Sequence, residues 1–226
     1  MEAIFEAVLK GDQEVARALR AAPQAYRAQA SQDVLVEAIP HWLYVGDTPL
    51  HLAGAALRTG VAKVLLDAGS DPNARNRRSA TPLHYACDAR PGSGGTWDPA
   101  AQIAIIDLLV ERGARLDQGD RGGATPLHRA VRARSPGAVR QLLTLGARTD
   151  CRLRAGGSTP LHLAAQSTGA SGTAGRLDLQ LEIIALLRQH GADSTARDGA
   201  NRTARDWARS ERVSEALRVA TEVADE

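Results

Sequence analysis

Thr48-Pro49-Leu50-His51 is the first of four copies of one tetrapeptide in this 226-residue chain. The other copies begin at Thr81, Thr125 and Thr159, and a degenerate fifth copy begins at Thr203. The five starts are 33, 44, 34 and 44 residues apart. A tetrapeptide that returns at a period near 33 residues predicts a solenoid of stacked supersecondary units rather than a catalytic motif.

A glycine ends the helical part of each unit and makes the spacing regular. These glycines are Gly69, Gly113, Gly146 and Gly191. From threonine to glycine the distances are 21, 32, 21 and 32 residues, and from glycine to the next threonine they are 12, 12, 13 and 12. The second and fourth units therefore each carry an insertion of 11 residues between their two helices, at about 88–99 and 166–177.

The tetrapeptide has the chemistry of a helix start. Threonine is a favoured N-cap, and proline suits the first helical position because its φ is already helical and its missing N–H costs nothing there. Farther along each unit, rows of Val, Ile and Leu such as those in 103–110 predict an outer helix with one apolar stripe. Each unit is thus expected to contain an inner helix, an outer helix and a polar connecting segment.

These units resemble the ankyrin repeat, in which a helix pair is followed by a projecting loop, or finger. The resemblance implies an all-α ankyrin-repeat solenoid of helix-turn-helix units with projecting finger loops. It places N-terminal capping helices and a degenerate first finger in 1–47, four repeats in 48–202 and a C-terminal capping helix pair in 203–226. It also implies that each motif histidine has a structural role and bonds the threonine of its own motif and nearby backbone. The motif residues are Thr48, His51, Thr81, His84, Thr125, His128, Thr159 and His162.

The segment before the first repeat departs from the repeat pattern. Its apolar residues predict two short helices that cover the first repeat, and we expect a further short helix from Ser31 to Ile39. The next stretch, His41 to Val45, is apolar and aromatic where a finger should be polar. Trp and Tyr are favoured interface anchors, but they serve equally well in packing helices together. We favour packing, because most large aromatic side chains are substantially buried.

Composition limits the class of protein. The chain is 43% hydrophobic and 24% charged, yet it has one Phe, three Tyr and three Trp, so Ala, Leu and Val must fill the core. Residues 1–6 lack the basic and apolar pattern of a secretory signal, and no 18-residue apolar stretch occurs. We therefore expect a cytoplasmic protein that does not enter a membrane. Cys87 and Cys151 belong to different repeats, too far apart for a disulfide, and are expected to be free thiols.

The histidines and cysteines do not predict a metal site or a nucleophile. One histidine per repeat places successive imidazoles on the order of 10 Å apart, whereas zinc holds each nitrogen at about 2.0–2.1 Å. His84, Cys87 and Asp88 stand at i, i+3 and i+4, which raises the possibility of a Cys–His pair. However, Cys87 takes a position that is small and buried in the other repeats. No phosphate-binding loop or esterase motif is present, so neither an enzyme nor a cofactor is predicted.

The fingers concentrate positive charge. The segments 70–80, 114–124, 147–158 and 192–202 together carry a net charge of +4, whereas the whole chain carries +2. This predicts a protein partner with an acidic surface. The oligomeric state is left open, and we favour a monomer. The competing explanation is a general preference for arginine, since only two of the 28 basic residues are lysines. Nucleic acid is an unlikely partner because these fingers lack aromatic residues on which bases could stack.

The resemblance implies binding on the concave face, which inner helices and fingers form together. The expected contacts on the fingers are Arg75, Arg77, Arg78, Arg121, Arg152 and Arg154. Those on the inner helices are Ala55, Asp88, Arg132 and Gln166, and Trp97 on the first inserted loop is a candidate anchor. An alternative is small-ligand binding or catalysis in a pocket beneath the inserted loops, near Trp97, Asp88 and Asp98. A structural spacer without a partner of its own is a third possibility.

Overall fold

Two parallel rows of helices make up the body of the protein. The computed structural model describes residues 3–39, 41–88, 98–166 and 177–218. The inner row consists of α3 (Pro49–Ala55), α5 (Pro82–Asp88), α7 (Pro126–Ala133) and α9 (Pro160–Ala165). The outer row consists of α4 (Thr59–Asp67), α6 (Pro99–Glu111), α8 (Pro136–Thr144) and α10 (Leu177–Gln189). Each helix packs on the next member of its own row, which confirms the all-α solenoid.

Both ends of the stack are covered by further helices. At the N-terminus, α1 (Ala3–Lys10) packs on α3, and α2 (Asp12–Ala21) packs on α4. A short 3-10 turn, Ala25–Arg27, follows α2. At the C-terminus, the degenerate fifth motif forms only a 3-10 turn, Arg205–Trp207, which packs on α9, while α11 (Glu211–Ala216) packs on α10.

The helix predicted from Ser31 to Ile39 is wrong. The segment forms strand β1 (Val34–Val36), which pairs antiparallel with β2 (His41–Leu43). The β-branched valines favour an extended backbone, and alternate residues face opposite sides, so that Val36 and Leu43 are buried. The other face carries Leu35, which is paired with Trp42.

The packing expected for residues 41–45 is only partly right. Leu43 is 1% exposed and belongs to the core, as expected. Trp42 is 49% exposed and Val45 is 37% exposed, so the packing interpretation is wrong for these two side chains. Trp42 is exposed because the two-residue period of a strand buries one face of the hairpin and leaves the other in solvent, whereas Val45 lies in the turn that follows β2.

The repeats end their inner helices in two different ways. In the repeats without an insertion, a residue in the left-handed region follows the helix: Leu57 at φ 52° and Arg134 at φ 57°. In the repeats with an insertion, the outer helix has 13 residues instead of nine, and a buried glutamine on it reaches back. Gln102 donates to the Ala86 carbonyl at 2.9 Å, and Gln180 donates to the Ala164 carbonyl at 2.8 Å. Four of the inserted residues thus lengthen a helix.

A histidine in every repeat joins its own motif to the following finger. The threonine N–H donates to the histidine Nδ1 at 3.0–3.2 Å in all four repeats. Because a backbone N–H can only donate, Nδ1 must accept, and the ring proton lies on Nε2. Each Nε2 then donates to a carbonyl of the next finger: Ala80 at 3.1 Å, Ala124 at 2.9 Å, Ser158 at 3.4 Å and Arg202 at 3.0 Å.

The bridge requires a neutral imidazole. Burial lowers the pKa of His84 and that of His128 to about 4, against an ordinary value of 6.5. The geometry also lowers the pKa, because Nδ1 accepts from the threonine N–H and a proton on Nδ1 would point at that donor. Protonation of Nδ1 therefore breaks the bond between the histidine and the threonine N–H of its own motif, while Nε2–H can still donate to the next finger.

We predict that mild acid destabilises the protein. The pKa of His84 and of His128 is lower in the folded state, so the unfolded chain takes up protons first as the pH falls. The stability that the two neutral histidines contribute is present above pH 6.5 and is lost as the pH falls from 6.5 to 4. At pH 5.0 the loss is about 2 kcal/mol for each histidine. Urea unfolding followed by circular dichroism should give a clearly lower midpoint at pH 5.0 than at pH 7.5. Equal midpoints would contradict the proposed bridge.

Candidate partner-binding face

Each finger is a short hairpin whose ends are closed by one backbone hydrogen bond. In the finger after the first repeat, the Asn76 N–H donates to the Ala80 carbonyl at 3.2 Å. The Asn76 side chain also accepts from the N–H groups of Arg78 and Ala80 at 2.9 and 3.0 Å. Asp120 and Asp198 accept in the same way in their fingers. The finger after the third repeat is one residue longer and has no carboxylate or amide at this place.

Neighbouring fingertips are joined by backbone hydrogen bonds of 2.8–2.9 Å. One N–H at each tip donates to a carbonyl of the preceding tip: Arg77 to Val45, Arg121 to Arg78, Arg154 to Gly122 and Gly199 to Gly156. The fingers are therefore tied to one another and are not independent loops. We call the exposed arginines on this line, Arg78, Arg121 and Arg154, the fingertip row.

The predicted finger arginines differ in their local partners. Among the described residues, the Arg121 and Arg154 guanidinium groups have no hydrogen-bond or ion-pair partner. Arg78 lies over the Tyr44 ring at 3.9 Å from its centroid. The others bond within the protein: Arg77 with Asp33, Arg75 with the Gly119 carbonyl at 3.4 Å, and Arg152 with the carbonyls of Gly157 and Arg197 at 2.9 and 2.6 Å.

An arginine that sequence analysis did not single out occupies the concave face. Arg129 on α7 binds Asp88 through Nη1 and Asp120 through Nη2, each at 2.6 Å. Burial opposes the charge on Arg129, but the two carboxylates outweigh it and raise its pKa. Asp88, an expected contact residue, is thus already paired. The sequence contains a signal for this role. The residue after the motif histidine is Leu or Tyr in the other three repeats and is charged only in this one.

A buried carboxylate lies where the first finger meets the second repeat. Asp47 is fully buried and accepts from the Tyr85 hydroxyl at 2.7 Å, the Asn76 amide at 2.8 Å and the Tyr44 N–H at 2.6 Å. Burial raises the pKa of Tyr85, so its hydroxyl keeps the proton that it donates. Three donors allow this carboxylate to be buried, and they fix Tyr44 and its strand against the repeats.

A cavity of about 160 Å³ opens between the hairpin and the concave face. Trp42, Tyr44, Tyr85, Arg78 and Arg129 contribute to its walls. Two buried nitrogen atoms at this cavity have no hydrogen-bond partner within the described ranges: Nε of Arg129, and Nε2 of His41, another residue of the wall. Burial lowers the pKa of His41, so this imidazole is neutral near pH 7.

The remaining predicted residues lie apart from this cavity or outside the described ranges. Arg132 is exposed and lies 3.6 Å from Asp88, while Ala55 and Gln166 are half-buried at other points along the inner row. Asp98 caps α6 by accepting from the Ala100 N–H at 2.8 Å. Trp97 and most of both inserted loops fall outside the residues that the structure describes. Of the residues expected at the pocket beneath those loops, the structure therefore describes only Asp88 and Asp98. Asp88 pairs with Arg129, and Asp98 caps α6.

The two thiols among the described residues lie where the thiolate is disfavoured. Cys87 and Cys151 are both free. Burial raises the pKa of the Cys87 thiol, which disfavours the thiolate that a nucleophile requires. No group of three or more His, Cys, Asp or Glu side chains in the described ranges could hold a metal ion. Within the same ranges, no helix has the length and hydropathy needed to cross a bilayer.

Comparison with known proteins agrees with this architecture. Residues 45–77 match the family model for an ankyrin repeat, and residues 99–198 match the model for three consecutive ankyrin repeats. The chain belongs to the ankyrin-repeat family. The repeats of this family support a role in protein–protein interaction.

Similar curated proteins match only a small part of the chain. NF-kappa-B inhibitor alpha of Rattus norvegicus is 54% identical over 41 residues, which is 18% of this chain and 13% of that protein. Neurogenic locus notch homolog protein 4 of Homo sapiens is 48% identical over 52 residues, which is 22% of this chain and 3% of that protein. The likeness is therefore one of repeat sequence and does not extend over these relatives.

We predict that Arg129→Leu destabilises the protein by about 1–3 kcal/mol, because it removes the cation that the buried Asp120 and the half-buried Asp88 share. Leucine occurs at the same place in two other repeats, so the side chain itself fits. Arg132→Leu on the same helix is the matched control and should cost about 0.5 kcal/mol or less, since Arg132 is half exposed and its ion pair is long. Urea unfolding of both variants tests this difference. Equal losses would contradict the role given to Arg129.

We predict that Tyr85→Phe destabilises the protein by about 1–2 kcal/mol, because Asp47 and Asn76 each lose a buried hydrogen-bond partner while the ring is kept. Tyr26→Phe is the control, since Tyr26 is half exposed. Thermal unfolding of the two variants should separate them by several degrees. A Tyr85→Phe protein as stable as the control would show that the hydroxyl does not support the buried carboxylate.

Proposed function

We propose that this protein is a non-catalytic scaffold or adaptor that binds a partner protein on its concave face and its Arg-rich fingers. The observation that carries the proposal is the fingertip row. Its three arginines are exposed, they lie on fingers joined by backbone hydrogen bonds, and two of them have no partner in the described part of the chain. The backbone bonds hold the three arginines in one row, so that they can meet a single partner surface together.

An acidic surface on the partner fits this row. A carboxylate that approaches Arg121 or Arg154 breaks no existing ion pair of those side chains, so the full gain of a charge-assisted hydrogen bond is available. The backbone is already ordered, which reduces the entropy lost on binding. The expected contacts are Arg75, Arg77, Arg78, Arg121, Arg152 and Arg154 on the fingers, with Asp88, Arg132 and Gln166 beside them. We propose that the protein binds as a monomer and works in the cytoplasm, where its free thiols remain reduced.

The test is a comparison of two charge-reversed baits. The fingertip variant carries Arg78→Glu, Arg121→Glu and Arg154→Glu. The control carries Arg20→Glu, Arg209→Glu and Arg212→Glu, which are exposed, lie on the terminal helices or next to them, and change the net charge equally. Both variants and the wild type are used for affinity purification from a lysate of cells that make the protein, with quantitative mass spectrometry.

We expect at least one protein to be retained by the wild type and the control and to be lost by at least tenfold from the fingertip variant. Its purified complex should weaken as salt is raised, because the contacts are exposed charges. Circular dichroism and the urea midpoint establish that each bait is folded. A partner that the fingertip variant retains, or that both variants lose equally, would contradict the proposed face.

A further inference from the structure

The exposed large hydrophobic side chains of the described residues lie in one hairpin and the turn that follows it. They are Leu35, Trp42 and Val45, at 44%, 49% and 37%. Leu35 and Trp42 are direct cross-strand neighbours on the outer face of β1 and β2. Opposite residues of an antiparallel pair have Cβ atoms about 4.5–5.5 Å apart, so these two side chains form one apolar patch.

Positive charge lies beside this apolar patch. Tyr44 lines the same cavity as Trp42. The Arg78 guanidinium lies over the Tyr44 ring at 3.9 Å, and no carboxylate pairs with it in the described ranges. Arg121, the next member of the fingertip row, is held to Arg78 by the backbone hydrogen bond between their fingers. The hairpin therefore offers an apolar surface with cations along one side.

The cavity next to the patch is lined by charges of both signs. Trp42, Tyr44, Arg78, Asp88 and Arg129 form part of its wall. Asp88 is paired with Arg129, whereas no carboxylate in the described ranges pairs with Arg78. Arg78 is therefore the cation of this wall that can receive a carboxylate from a bound molecule.

We propose that the outer face of the β1–β2 hairpin is a docking site for a short acidic segment of a partner protein. In this site, a large apolar side chain of the segment lies on Leu35 and Trp42. A neighbouring Asp or Glu side chain of the segment binds Arg78. This inference rests on the proposed protein-binding function and assigns its apolar anchor point, which is outside the four repeats.

The test selects peptides from a random 12-residue phage-display library on the immobilised wild-type protein. Synthetic versions of the enriched peptides are then measured by fluorescence anisotropy against the wild type and the hairpin variant Leu35→Thr/Trp42→Thr. Threonine keeps the strand propensity and removes the apolar patch, and circular dichroism establishes that the variant is folded. Arg209→Glu/Arg212→Glu is the control, because it changes charge at the far end of the solenoid. A second variant, Arg78→Met, removes the charge and keeps a long side chain over Tyr44.

We expect the enriched peptides to share one large apolar residue with Asp or Glu nearby. Their Kd should rise at least tenfold on the hairpin variant and several-fold on Arg78→Met, and it should stay within twofold on the control. The inference is overturned if the enriched peptides lack this pattern, if they bind the hairpin variant as tightly as the wild type, or if no peptide is enriched. It is also overturned if sedimentation shows a wild-type dimer that the hairpin variant abolishes, since the occupant would then be a second copy of the chain.

A further variant separates this inference from the proposed function. Arg121→Glu/Arg154→Glu changes the part of the fingertip row that lies away from the hairpin. Peptides that lose binding to this variant but keep full affinity for Leu35→Thr/Trp42→Thr would support the finger face and overturn the hairpin site. Peptides that lose binding to Leu35→Thr/Trp42→Thr but keep full affinity for Arg121→Glu/Arg154→Glu would support the hairpin site and count against binding by Arg121 and Arg154.

Discussion

The histidine bridge is the constraint on which the other features of this structure depend. Each imidazole accepts from the threonine N–H of its own motif and donates to a carbonyl of the next finger, so one side chain sets both a helix start and the position of the following hairpin. The bond from the threonine N–H is buried and requires a neutral ring, because only an unprotonated Nδ1 can accept. Because the bridge recurs in every repeat, each finger is held at the same position relative to the preceding inner helix, from the finger after His51 to the one after His162.

The fingertips form a second line of contacts parallel to the histidines. One backbone hydrogen bond joins each tip to the preceding one, from Val45 to Gly199. These bonds use main-chain groups and leave the side chains at the tips available. The stack thereby places arginines in fixed positions without engaging all of their guanidinium groups. The hairpin at the N-terminus continues the line, since Val45 accepts from the Arg77 N–H and Asp33 binds both the Arg77 side chain and the Val45 N–H.

Much of the fold follows from the sequence, because the repeated motif combines a helix start, an apolar row and a closing glycine. The four glycines have positive φ as expected, between 81° and 99°. The β1–β2 hairpin was missed because the short apolar run Val34–Val36 fits a helix and a strand equally well. Only the contacts of Asp33 and Leu43 decide between them. The roles of Arg129 and Tyr85 were missed for another reason. Their partners, Asp88, Asp120 and Asp47, belong to other repeats or fingers, and pairing across that distance has no local pattern.

Amide hydrogen exchange at the fingertips, resolved residue by residue by NMR, is the most direct test of the central claim that the fingers form one ordered row. The amides of Arg121, Arg154 and Gly199 donate to the preceding tip and should exchange on the order of 100-fold more slowly than unprotected amides. The amides of Arg152 and Arg197 lie in the same fingers and have no acceptor among the described residues, so they should exchange rapidly. Equally fast exchange at all five positions would mean that the fingers move independently, and would contradict a preformed binding face.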